Sequence, residues 1–258
     1  MNAAFLPATT YSKLASGITA AIMLVSGATS SAAAGDDLAP GEIIRRTQAT
    51  YATMASYSDE GEIVATMDGT TNTTAFTIRL ARTNFYRVEW EQDSKTSYAT
   101  DSARAQAAWS SGAYHFLDMG DGPQNKVSRE VALAEAADLS GGAAATIPRM
   151  FFNMQWGDPG GQPGDSPWSA NRQIDEKVGG VDCYVLTGEL PGQAKTLWIG
   201  KQDFLIRRLR TVTSADAMRA MAAKWDPEII SDLHSFTSTE THARIAVNKR
   251  FLRSDFVP

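Results

Sequence analysis

Side chains able to cut, transfer or ligate are few in this sequence, and they are scattered. Histidine occurs three times, as His115, His234 and His242. Seven residues separate the last two, which fits no tetrahedral metal-ligand spacing, and the first stands alone. All three are expected to be ordinary strand or loop residues. The segment "SDEGEI" gathers Asp59, Glu60 and Glu62, a group of carboxylates of the kind acid–base catalysis employs. Such work needs one carboxyl displaced from its ordinary pKa by apolar surroundings. Nothing apolar stands beside these three, so a solvated strand start is expected. Cys183 is the only cysteine, which excludes an internal disulfide and a thiolate metal cluster. In "VDCYVLTGEL" it is expected to act as a small buried hydrophobe. "SGGAAATIP" is Gly-rich but lacks the Lys–Ser/Thr of a phosphate-binding loop, and no Gly-x-Ser-x-Gly elbow occurs. No catalytic, metal or cofactor constellation is legible, so no cofactor is expected and a secreted hydrolase is disfavoured.

Aromatic and aliphatic side chains are the remaining candidates, and their spacing defines the elements that carry them. "DDLAPGEIIRRTQATYATMASY" has helical spacing at Ile44, Gln48, Tyr51, Met54 and Tyr57, behind a helix entrance of Asp36, Asp37 and Pro40. From Ser58 the period becomes two. Ile63, Ala65 and Met67 alternate with polar neighbours, then Phe76, Ile78 and Leu80, then Tyr86, Val88 and Trp90. This predicts an antiparallel meander, extended by "TSYATDS", "AQAAWSS" and "AYHFLDMG". Two helices follow. The first, in "KVSREVALAEAADLS", is capped by Ser128, and the second lies in "AAATIPRMFFNMQW". "GDPGGQPGDSPW" is a loop. Strands return in "NRQIDEKV", "VDCYVLTGEL" and "KTLWIGKQDFLIRRLR", before a helix up to Trp225 and a final strand in "STETHARIAVNKRF". The class is α+β: a strongly curved antiparallel sheet covered by short helices. A half-buried sheet needs one apolar face, yet the "KTLWIGKQDFLIRRLR" hairpin is apolar on both. Its second face is expected to extend a ligand cavity, the alternative to a solid core.

The chain has 258 residues, 43% hydrophobic and 21% charged, with a net charge of −5. An acidic balance offers no basic face for nucleic acid. The arginines at Arg45–Arg46 and Arg207–Arg208–Arg210 are expected on solvated faces. "MNAAFLPATTYSK", the apolar "LASGITAAIMLV" and the small-residue run "SGATSSAAAG" form the tripartite layout of a secretory signal, with cleavage between Ala34 and Gly35. The apolar run is too short to span a bilayer, so no transmembrane segment is expected after cleavage. Residues 1–34 are thus expected to be a signal peptide and 35–258 a single domain, which is expected to be monomeric and periplasmic or secreted.

"EIIRRTQATYATMASYSDEGEI", "FTIRLARTNFYRVEW", "WSSGAYHFLDM", "ATIPRMFFNM" and "TLWIGKQDFLIRRLR" together resemble the LolA-like family of periplasmic lipoprotein carriers and its secreted relatives. The resemblance implies an open half-barrel, LolA/LolB-like, whose hollow takes acyl chains beneath lid helices. Arg82 matches the arginine that ties the half-barrel to the lid in the carriers, although Thr83 stands where the family usually has Pro. The expected function is non-enzymatic binding of a lipid or lipoprotein acyl chain. Candidate lining residues are Ile63, Met67, Phe76, Ile78, Leu80, Tyr86, Val88, Trp90, Trp109, Phe116, Phe151 and Phe152. The alternative is an envelope sensor or scaffold that binds a partner protein through the same half-barrel.

Overall fold

Pro40 opens the first helix, α1 (Pro40–Thr53), at the position where its missing N–H costs nothing. The computed structural model describes residues 38–67, 69–82, 84–93, 106–154, 170–223 and 234–258. The expected signal with its Ala34–Gly35 junction, the loop of 157–168 and the "TSYATDS" segment lie outside them. Met54 is extended, and the chain passes at once into β1 (Ser56–Met67). The helix is therefore shorter than its apolar spacing predicts, and Tyr57 belongs to the sheet.

The meander continues through β2 (Thr70–Ala81), β3 (Phe85–Gln92), β4 (Gln106–Ser110), β5 (His115–Asp118) and β6 (Gln124–Lys126). Helix α2 (Arg129–Leu139) starts at Ser128, whose Oγ accepts the Val131 N–H at 3.3 Å, and Gly141–Gly142 follow with positive φ. The six-residue α3 (Thr146–Phe151) comes next. Then come β7 (Asn171–Arg172), β8 (Glu176–Val178), β9 (Val181–Leu190), β10 (Gln193–Gly200), β11 (Ile206–Thr213), α4 (Ala215–Ala222) and β12 (Phe236–Val247). No helix among the described residues is long and apolar enough to cross a membrane.

All pairings are antiparallel. The order β6-β5-β4-β3-β2-β1-β12-β11-β10-β9-β7 runs from edge to edge without closing, with β8 also pairing β9. This is the open α+β sheet the sequence implies. The last strand pairs with the first, so β1 and β12 form the middle of the sheet. Residues Leu38–Pro258 form one compact unit.

One face of the sheet packs on the helices. Ile43, Tyr51, Leu133, Ile147 and Phe151 from α1, α2 and α3 join Ile63, Ile78, Leu80, Tyr86 and Val88 in a single core. On the other face Phe256, the last residue of a short 3-10 turn at Arg253–Phe256, packs on both Phe85 and Phe251, with its ring centroid 5.5 Å from each. That face also holds a small cluster of Val178, Cys183, Val185 and Trp198. The second apolar face of the late hairpin is thus packed into this cluster with β8 and β9, as a small core and not as the cavity wall the sequence suggests. Trp198 Nε1–H donates to Glu176 Oε2 at 2.8 Å, and the Arg208 guanidinium lies 5.4 Å from its ring centre. Cys183 is fully buried there, and burial pushes its thiol pKa up.

Candidate functional site beneath the third helix

Because strand side chains alternate, the register defines rows of residues that share the helix-covered face. One row reads Leu117, Ala108, Val88, Ile78, Asp59. The next carries Trp90, Phe76, Gly61 and His242. A third carries Thr74, Ile63, Glu240, Leu209, Leu197 and Leu186. Gly61 matters locally, since a Cβ on it would lie 2.3 Å from the Phe76 ring and 2.3 Å from the Thr241 carbonyl oxygen. Its bare Cα lets Phe76 lie across β1 and meet His242 edge-on, with ring centroids 5.6 Å apart.

An ionic group sits in the middle of this face. The His242 and Asp59 side chains have 0% exposure and that of Glu240 has 6%. His242 Nδ1–H donates to Asp59 Oδ2 at 2.6 Å, and the same oxygen accepts the Tyr57 hydroxyl at 2.9 Å. His242 Nε2 lies 3.2 Å from Glu240 Oε1, an ion contact that lacks hydrogen-bond alignment and leaves both atoms without a hydrogen bond. The other Glu240 oxygen accepts the Thr146 hydroxyl at 2.8 Å, which ties the first residue of α3 to β12. Burial alone would lower the His242 pKa, but the two carboxylates outweigh it and raise it to about 10. The imidazole is therefore a cation at neutral pH.

The other end of α3 is held by arginines. Arg82 donates through Nε to the Met54 carbonyl at 2.8 Å and through one terminal nitrogen to those of Tyr51 and Ala52 at 2.7 and 2.6 Å. These are C-terminal carbonyls of α1, which no helical N–H can reach. The same guanidinium lies 4.2 Å from the centre of the Phe151 ring. Arg129 covers Phe152 at 4.5 Å and donates to Asn84 Oδ1 at 3.1 Å. Asn84, at φ 83°, turns β2 into β3. Tyr86 stacks on His115 at 5.8 Å and meets Phe152 edge-on at 6.2 Å.

Nine of the candidate residues meet on the helix-covered side: Ile63, Phe76, Ile78, Leu80, Tyr86, Val88 and Trp90 from the sheet, Phe151 from α3 and Phe152 just after it. Trp109 and Phe116 do not. Trp109 pairs with Arg87 and Phe116, so both aromatics lie on the opposite face, stacked 5.3 Å apart. Ala108 and Leu117 take the inner positions instead. Met67, 38% exposed, lies at the end of β1, outside the core. Expectations for "SDEGEI" and His242 fail as well. Asp59 is buried and ion-paired while Glu60 and Glu62 are exposed, and His242 is no ordinary strand histidine. The missed signal was parity. Asp59 shares the parity of Tyr57, Gly61 and Ile63, and His242 that of Glu240, so both belong to inward-facing series.

No protein-family model matches the sequence, and no curated protein matches it. Among solved structures it is similar to a chain of the Pseudomonas aeruginosa MucA/MucB complex, at 10% identity over 84% of this chain and 60% of that one (TM-score 0.44). It is similar to the LolA superfamily protein NE2245 from Nitrosomonas europaea, at 12% identity over 86% of this chain and 98% of that one (TM-score 0.34). It is also similar to LprF from Mycobacterium bovis, at 10% identity over 82% and 94% of the respective chains (TM-score 0.40). The present chain thus spans less than two thirds of the first of these. The likeness is one of fold, at identities that carry neither ligand nor partner.

Proposed function

We propose that this protein is a non-enzymatic binding protein of the cell envelope, periplasmic or secreted, for a lipid or acyl chain held between the sheet and α3. The observation that carries this is a largely apolar face, interrupted by the His242 ionic group and roofed by a six-residue helix whose polar attachments lie at its two ends. A helix so short has little stability of its own and depends on its contacts. Displacing it would open Ile63, Ile78, Val88 and Tyr86 to a chain, with burial worth roughly 0.8 kcal/mol per methylene before ordering costs. Ile78, Leu80, Tyr86 and Val88 are all at 0% exposure, so without ligand the roof is closed. That closure favours a second function, in which the domain recognises a partner protein with its core shut. Organic extraction of the purified exported protein, followed by mass spectrometry, separates the two. A stoichiometric lipid supports the first, and a clean extract together with no uptake of a fluorescent fatty acid supports the second. N-terminal sequencing of envelope-fraction protein should start at Gly35, and an intact Met1 there would overturn the location.

A further inference from the structure

Along the strands the helix-covered face changes from apolar to polar. Beyond the row of Ile63 and Glu240, the next reads Asn72, Ala65, Ser238, Thr211, Lys195 and Gly188. Lys195 is half-buried there. Thr146 and Arg149 stand three residues apart on one side of α3, and Thr146 reaches Glu240. Arg149 lies near enough to Lys195 for the two charges to repel. Burial lowers the Lys195 pKa and repulsion from Arg149 adds to it, with Glu240 opposing. Among the described residues neither cation has a carboxylate within ion-pair distance. Two cations thus approach one another at the polar edge of an apolar face, in a chain whose net charge is −5. Asp59 and Glu240, the nearby carboxylates of this face, are already engaged by His242.

We infer that Lys195 and Arg149 form the head-group site of an anionic amphiphile, holding its carboxylate or phosphate while its chain runs beneath α3 toward Ile63 and Ile78. The inference rests on the apolar-chain function proposed above. From the Lys195 row to the Ile78 row is three rows, about 20 Å at two residues per row, the reach of a long acyl chain. Lys195 and Arg149 supply charge-assisted donors, and Thr211 and Ser238 supply hydroxyls beside them.

The test uses the exported protein, cis-parinaric acid and the uncharged methyl ester of that acid. The acid should bind about tenfold more tightly than the ester, the gain expected of one charge-assisted contact pair. A double variant, Lys195→Gln with Arg149→Gln, should lose that preference and keep its affinity for the ester, while Lys195→Arg should retain it. Equal binding of acid and ester by the parent overturns the head-group site and leaves the apolar-chain function standing. A third arm adds inorganic phosphate and follows the backbone amides of residues 149 and 195 by NMR. Phosphate-induced shifts without uptake of either chain make this a site for a free anion and overturn the amphiphile. Neither shifts nor uptake overturns the head-group site and the apolar-chain function together.

Discussion

The two ends of α3 are fastened in physically different ways. At Thr146 the attachment is a fully buried ionic group, in which a histidine cation lies between Asp59 and Glu240. At Phe151 and Phe152 it is a pair of arginines lying over aromatic faces, with Arg82 also bound to the carbonyls that end α1. The first depends on a proton and has no access to solvent that could soften a missing partner. The second is made of guanidinium groups on a surface where water replaces lost contacts. One end should therefore fail abruptly when altered, and the other gradually.

The largest effect is expected from His242→Leu. Removing the cation leaves Asp59 and Glu240 buried and uncompensated, and breaking such a group costs about 3–5 kcal/mol, measured by urea denaturation. Wild-type pH dependence follows from the same group. His242 titrates at about 10 in the fold and at 6.5 as an ordinary histidine. Its contribution is therefore complete below pH 6.5 and falls away as pH rises toward about 10. His242→Leu should flatten that slope. A parent stability that stays level from pH 6.5 to 10 would mean the imidazole is not charged in the fold.

Between the two ends lies Ile78, at 0% exposure in the row of Val88 and Ala108. Ile78→Trp overfills this closed core and should lower stability by about 1–3 kcal/mol. Uptake of a fluorescent fatty acid should fall with it. Arg79→Ala, on the opposite face and paired with Glu89, should leave uptake nearly unchanged. Undiminished stability in Ile78→Trp would reveal free space beneath α3 even without ligand.

Arg82→Leu should cost less, about 1–2 kcal/mol, because only part of its hydrogen bonding is shielded from water. Its signature is local: faster hydrogen exchange over residues 144–154 with no change in the pH slope. Arg82→Lys should not restore protection, since an ammonium cannot reach three carbonyls and lie flat on Phe151 together. Unchanged exchange in the Leu variant would show that Arg82 holds α1 alone.

Legibility in the sequence tracks this same division. The meander, the Ser128 cap and the late hairpin were readable because periodicity and capping are local. Arg82 was reachable only through a resemblance, since its partners lie 28 to 31 residues back in α1. The ionic group was invisible for a stronger reason. Asp59 and His242 are 183 residues apart, and polar types inside an alternating strand imitate a solvent-facing series. Trp109 and Phe116 misled in the opposite sense. Large aromatics suggest the inner side, yet the register assigns that side to Ala108 and Leu117, and the two rings stack on the other.

The smallest effect asks whether the two ends act as one. Thr146→Val removes the hydroxyl that Glu240 Oε2 accepts and keeps the side-chain volume, and Arg82→Leu releases the opposite end. Independent ends would give a double variant whose loss equals the sum of the single losses, within about 0.5 kcal/mol. But α3 has only six residues, fewer than two turns, so freeing one end should free much of the whole. Once Arg82 is gone, part of what Thr146 stabilises is already lost. The double variant should therefore fall short of the sum by about 0.5–1 kcal/mol, a coupling read by equilibrium denaturation of the four proteins in the cycle. Strict additivity would mean that α3 is fixed along its length by Ile147 and Met150 beneath it, and that a roof hinged at its ends is the wrong description.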